Sequence, residues 1–148
     1  MEKARWRFTE WNRMTPQSQD KLENLIKEAM EKTKYCYAPY SRIRVVAILI
    51  TDRGVFHGVN IENASYGLTI CAERVAVFKA ISEGAKKLKR LLVYSPDTKP
   101  YPCGACLQVL SEFADEDLEI IVASGQKEKI SIEKFLLRDL LPHRFRIR

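Results

Sequence analysis

Three cysteines and one glutamate carry the chemistry open to this sequence. Glu73 follows Cys71 by two residues, and Pro102-Cys103-Gly104-Ala105-Cys106 comes downstream. Thirty-one residues separate Cys71 from Cys103, and two separate Cys103 from Cys106. That is metal-ligand spacing, with three thiolates for one tetrahedral Zn2+ and a fourth corner left open. A closed four-ligand zinc site holds a fold together, whereas an open three-ligand site holds a water and does chemistry. A glutamate beside such a water is placed to move protons.

The elements around these residues must make thiolates available. Cys71 and Cys103 fall at expected helix starts, and Cys106 lies one turn further on. Helix N-termini offer free N–H groups and partial positive charge, which lower thiol pKa. Three thiolates on Zn2+ leave a formal charge of −1 that weakens the ion as a Lewis acid. The two helix ends and Arg74 are the candidates to offset it. On its own, Glu73 would read as a first-turn carboxylate complementing a helix dipole. Its place two residues after a ligand cysteine favours the catalytic reading. Neither of the two histidines, His57 and His143, has ligand spacing to the cysteines. His57 reads as a strand residue and His143 as a surface residue. Cys36, between Tyr35 and Tyr37, reads as a small buried apolar residue.

Positioning these groups requires alternating helices and strands. Residues 1–14 hold Trp6, Phe8 and Trp11 among charges without a clean period, and read as an arm that is loose or packs on a neighbouring copy. Residues 15–148 read as one catalytic domain. Thr15-Pro16 starts a helix with Leu22, Leu25, Ile26, Ala29 and Met30 on one face. Residues 45–51 read as a buried strand, Asp52-Arg53-Gly54 as a hairpin turn and 55–59 as the return strand. Cys71 opens a helix that Glu83-Gly84 ends, and 91–94 form a third strand. Pro102 to Gly104 leads into a second metal-bearing helix with Val109, Leu110 and Phe113 inward. Residues 118–123 form a fourth strand, and 131–137 read as a short final helix. This alternation predicts an α/β layered sheet.

Composition sets outer limits. A chain of 148 residues with 46% hydrophobic content can bury one core. No aliphatic run approaches the roughly 20 residues of a membrane span, and the charged N-terminus is no secretory signal. A cytoplasmic location and no membrane partner are expected. The net charge of +6 is spread along the chain and marks no nucleic-acid face. A 30% charged content with four Asn and four Gln leans toward a heat-adapted source.

The ordered blocks Ala38-Pro39-Tyr40-Ser41, Asn60-Ile61-Glu62-Asn63-Ala64-Ser65-Tyr66, Cys71-Ala72-Glu73-Arg74, Pro102-Cys103-Gly104-Ala105-Cys106 and Leu140-Leu141-Pro142-His143-Arg144-Phe145 resemble the small, homo-oligomeric, zinc-dependent cytidine deaminases. The resemblance implies a three-layer fold with a mixed five-stranded sheet, although the fifth strand is not obvious in the sequence. It implies one Zn2+ per chain on Cys71, Cys103 and Cys106, and hydrolytic deamination of cytidine and deoxycytidine in pyrimidine salvage, with Glu73 as the proton carrier. It assigns Arg74 to hydrogen-bond the zinc-bound sulfur and Asn60 and Glu62 to the ribose hydroxyls. Side chains two apart on an extended segment project to the same side, which suits a sugar edge. Ala64 and Tyr66 match positions supplied to the pocket by neighbouring subunits, and Phe145 matches an aromatic that closes over the base from another subunit. A homo-oligomer, usually a tetramer, is implied.

One stretch departs from the family pattern. Where an aromatic commonly lines the base pocket stands Ile43, Val46 replaces a glycine, and Ile48 replaces an alanine. Added volume in a packed region costs about 1–3 kcal/mol unless neighbours shrink. This leaves two further readings open: a deaminase of a modified cytosine nucleoside or nucleoside antibiotic, and a structural-zinc nucleic-acid-binding module in which Cys36 closes a four-cysteine site.

Overall fold

The computed structural model describes residues 16–127 and 129–147, so the expected arm at 1–14 lies outside the described residues. Pro16 occupies the first position of helix α1 (Pro16–Lys32), where a missing N–H leaves no intrahelical bond unmade. Leu22, Ile26 and Ala29 are buried on one face of this helix, with Leu25 and Met30 at its margin. Strands β1 (Val46–Thr51) and β2 (Gly54–Val59) form the expected hairpin. Its turn needs Gly54 at φ +112°, a region that side chains rarely tolerate. Helix α2 (Ala72–Ser82), strand β3 (Leu88–Ser95), helix α3 (Gly104–Phe113), strand β4 (Glu119–Ser124), strand β5 (Ser131–Leu136) and the single turn α4 (Leu137–Leu140) follow.

The strands form one mixed sheet in the order β2-β1-β3-β4-β5. β3 and β4 are parallel and every other pair is antiparallel. A parallel pair needs a crossover, and α3 supplies it. The fold is therefore α/β, with α1 packed on one face of the sheet and α2 with α3 on the other. Leu22, Ile26, Ala29, Val46, Ile48, Leu92 and Ile121 make the α1 side of the core. Ala47, Leu49, Ala76, Val77, Leu91, Val93, Leu110 and Ile120 make the metal-helix side.

Of residues 131–137, expected as a helix, Ser131–Leu136 is instead the missing fifth strand, paired with β4 from Ser124↔Ser131 to Glu119↔Leu136, and only Leu137 is helical. The side chains alternate with period two. Ile132 joins the α1 side, while Glu133 and Phe135 are buried on the opposite run of positions. A buried charge in the middle hid this alternation from a reading based on apolarity. Phe113, expected inward, is 36% exposed at the end of α3.

The family departure at 46 and 48 resolves on the α1 side of the sheet. Val46 and Ile48 are fully buried there beside Ala29 and Ala123, whose small side chains leave room for the added methyl groups. The layer holding the cysteines faces the other way. On that side, a Cβ on Gly58 would lie 2.1 Å from the Ala72 carbonyl oxygen and 2.6 Å from the Ala76 nitrogen, so only glycine lets β2 approach α2 this closely.

Candidate active site

Cys71 and Cys103 are the N-cap residues of α2 and α3, both in extended conformation, and Cys106 lies in the first turn of α3. The two helix N-termini are thus brought together across the metal-helix layer, as the positions of the cysteines predict. Cys71 Sγ lies 3.8 Å from Cys103 Sγ, and Cys103 Sγ lies 3.6 Å from Cys106 Sγ. All three sulfurs fall within 4.8 Å of one another. Zn–S bonds of about 2.3 Å in a tetrahedron require sulfur–sulfur edges of about 3.8 Å, so this donor set fits a zinc ion. Cys106 is fully buried, Cys71 partly buried and Cys103 exposed. Cys36 lies apart from the cluster and donates its thiol to the Val45 carbonyl at 3.3 Å. It does not close a four-cysteine site.

Two α2 side chains flank the sulfurs. Glu73 is 4% exposed, with Oε2 3.7 Å from Cys106 Sγ. Burial, reinforced by the neighbouring Cys71 thiolate, pushes its carboxyl up to about 7. Arg74 Nη2 donates to Cys71 Sγ at 3.5 Å, and its Nε is buried without a hydrogen-bond partner. The Cys106 thiol, then the Arg74 guanidinium, hold Cys71 down at about 5 against the opposing effect of burial. The same contact with Cys71, together with burial, pushes Cys106 up.

The remaining expected site residues are placed differently. Asn60 and Glu62 each hold the preceding segment of their own chain. Asn60 Oδ1 accepts from the Val45 N–H at 2.9 Å, and Nδ2 donates to the Ile43 carbonyl at 2.7 Å. The buried Glu62 carboxylate accepts from the Tyr40 N–H at 2.9 Å and the Ser41 N–H at 3.2 Å. The Ser41 side chain and these backbone N–H groups hold Glu62 below the usual carboxylate range. Ile43, Ala64, Tyr66 and Phe145 are all exposed in the single chain. Tyr66 packs edge-on against Tyr40 with ring centroids 6.4 Å apart. Phe145 is 68% exposed, and its carbonyl accepts from Gln108 Nε2 on α3 at 3.3 Å.

Contacts between distant residues were not foreseen. Arg144 Nη2 donates to the Ser111 and Ala114 carbonyls, capping the far end of α3 and setting the tail that carries Phe145. His57, a β2 residue as expected, meets Glu28 Oε1 at 2.6 Å and so ties β2 to α1. No local signal in the sequence announces either pairing.

A three-thiolate cluster at paired helix starts, with a buried neutral-range carboxyl beside it, defines a zinc hydrolase of the deaminase type. The family model for the cytidine and deoxycytidylate deaminase zinc-binding region matches residues 19–122, and the chain belongs to that family. It is 44% identical over 123 residues to a cytidine deaminase of Halalkalibacterium halodurans, covering 82% of this chain and 91% of that one. It is 44% identical over 122 residues to a probable cytidine deaminase of Dictyostelium discoideum, covering 80% and 83%. Its fold matches the crystal structure of a cytidine deaminase from Burkholderia pseudomallei with a TM-score of 0.74 at 38% identity, covering 89% of this chain and all of that one. Among the described residues, no helix is long and apolar enough to cross a membrane.

Proposed function

We propose that this chain hydrolyses cytidine and deoxycytidine to uridine and deoxyuridine with release of ammonia. The observation that carries the reading is Glu73, a buried carboxyl packed 3.7 Å from a sulfur of the Cys71/Cys103/Cys106 cluster. A Zn2+ on these thiolates supplies Lewis acidity that brings the pKa of water toward neutrality. Glu73 takes a proton from the attacking water and passes it to ring N3, which makes C4 electrophilic. It then carries the proton of the new C4 hydroxyl to the departing amino group, so ammonia leaves and a carbonyl remains. A carboxyl near 7 suits both directions of transfer at neutral pH. Arg74 offsets the negative charge of the thiolates through its bond to Cys71.

Asn60 and Glu62 hold the 40–45 segment and are the residues assigned to the ribose hydroxyls, and Ile43 borders the base. Ala64, Tyr66 and Phe145 stand exposed on one chain and complete the pocket of another in a homotetramer. Residues 15–148 act as one catalytic domain. Four free cysteines, three of them an uncrosslinked cluster, favour the reducing cytoplasm.

Two measurements test the proposal. Purified zinc-loaded protein should convert cytidine and deoxycytidine in an ultraviolet or mass assay that also offers 5-methylcytidine and cytosine. Failure on both parent nucleosides overturns the activity. Separately inactive variants at Glu73 and Phe145 should regain activity when refolded together, because some pockets then hold both residues intact. Strict inactivity in oligomers shown to be mixed would place Phe145 outside the neighbour's pocket.

A further inference from the structure

We infer that Tyr101 and Glu133 are positioning residues for the metal centre, bracing Cys103 against the edge of the sheet. The inference rests on the reading of the cysteine cluster as a zinc site.

Cys103 is the exposed member of the cluster, at the end of the loop from β3 to α3. Cys106 is locked in the core, and the helix behind Cys71 is pressed on Gly58. Cys103 needs another restraint to keep its sulfur at a fixed distance from the other two. The Tyr101 hydroxyl donates to Oε2 of Glu133, in the middle of β5. Its ring also stands edge-on to Phe135, with centroids 6.0 Å apart and planes at 72°. Both partners lie on the metal-helix side of the edge strand, Glu133 opposite Val122 and Phe135 opposite Ile120.

The link from this anchor to the sulfur is short and stiff. Tyr101 precedes a proline, which restricts it to extended conformations, and its N–H is bonded to the Lys99 carbonyl at 3.0 Å. Pro102 is buried and its ring fixes φ. Cys103 then adopts φ −73° and ψ 166° as the cap of α3. Few soft torsions separate the hydroxyl anchor from the ligand. Glu133 is 5% exposed, and a carboxylate is costly to bury unless its oxygens are engaged. The proton-transfer chemistry assigned to Glu73 makes no use of it. The hydroxyl of Tyr101 engages one of its oxygens.

The test reads zinc release from the loaded enzyme to an excess of chelator. Tyr101→Phe keeps the ring and its contact with Phe135 but removes the hydroxyl. It should release zinc about three- to tenfold faster, the range expected for one hydrogen bond. Its zinc-loaded form should lose more in melting temperature than its metal-free form, and its Co2+-loaded form should show altered thiolate-to-metal absorption. Glu133→Gln keeps an acceptor and should release zinc more slowly than Tyr101→Phe. The double variant should release zinc more slowly than the product of the two single effects predicts, since the two residues share a hydrogen bond. Release from Tyr101→Phe at the parental rate overturns the inference, as does an equal loss of melting temperature in the metal-free and zinc-loaded forms. A parent that takes up no zinc overturns both this inference and the reading beneath it, whereas a loaded parent with a silent Tyr101→Phe overturns this inference alone.

Discussion

Arg44 and Asp97 lie 53 positions apart in the chain and meet in a two-pronged ion pair. Nη2 reaches Oδ1 at 2.9 Å and Nε reaches Oδ2 at 3.0 Å, while the Arg44 backbone N–H donates to Oδ2 at 2.9 Å. The pair joins the segment before β1, which holds Ile43, to the loop that runs on to Cys103. The Arg44 guanidinium holds the Asp97 carboxyl below its ordinary range. A depressed folded pKa stabilises above the unfolded value of about 3.9, and the contribution is lost as pH falls through the folded value. Denaturation of the parent from pH 6 downward should therefore show a loss that Asp97→Asn lacks. At pH 7 the variant should be less stable by about 1 kcal/mol or less, because Arg44 is 44% exposed. Parallel pH curves for the two proteins would show that the pair contributes no charge-dependent stability.

Glu73→Gln should keep the fold and one zinc per chain while losing about 10²–10⁴-fold in kcat, the range for a general acid/base. Its melting temperature should not fall, since a buried carboxyl raised to about 7 gains little from its charge. Near-parental turnover in a zinc-loaded variant would remove Glu73 from the mechanism.

Cys36→Ser should leave zinc stoichiometry at one per chain, because its thiol is committed to the Val45 carbonyl and not to the cluster. Cys103→Ser should lose tight zinc binding although Cys103 is the most exposed of the three. Metal analysis of the dialysed proteins decides both. Zinc lost from the Cys36 variant would point to a rearranged four-cysteine site.

Val46→Gly should be costly in stability and mild in catalysis. It empties a fully buried site under α1 and puts glycine in a central strand, a loss of about 2–4 kcal/mol. Zinc content and the cytidine-to-deoxycytidine ratio of kcat/KM should stay at parental values, because the side chain faces away from the cysteines. Ile43→Phe should do the opposite, shifting that ratio several-fold at little cost in stability, because position 43 is 39% exposed. A Val46→Gly protein with altered substrate ratios and unchanged melting would reverse this assignment.

The cluster was legible in the sequence because the signals that build it are local. A cysteine at a helix start, a glutamate two residues on and a two-residue gap within one turn need no knowledge of the rest of the chain. The first four strands were readable for the same reason, each being an apolar run or a hairpin. β5 was not, because Glu133 interrupts its apolar pattern and its partner Tyr101 lies 32 residues away. Asn60 and Glu62 were recognisable as a polar pair, but their bonds to residues 40–45 depend on how two loops dock. Arg44–Asp97 and the Arg144 cap share that difficulty, since charged residues far apart in a chain carry no mark of their partners.

Gly58 bears on any attempt to redesign this pocket. With no room for a Cβ, the α2 backbone rests directly on β2, and the same few residues present Cys71, Glu73 and Arg74. A substitution meant to widen the cavity from this side would lift ligand, proton carrier and counter-charge together. The 38–45 strap offers a separate handle, because the side chains of Asn60, Glu62 and Asp97 hold most of it in place. One backbone bond, from the Asn60 N–H to the Val45 carbonyl, secures its end. Library design for new substrates should concentrate its diversity there and leave the strand–helix seam untouched.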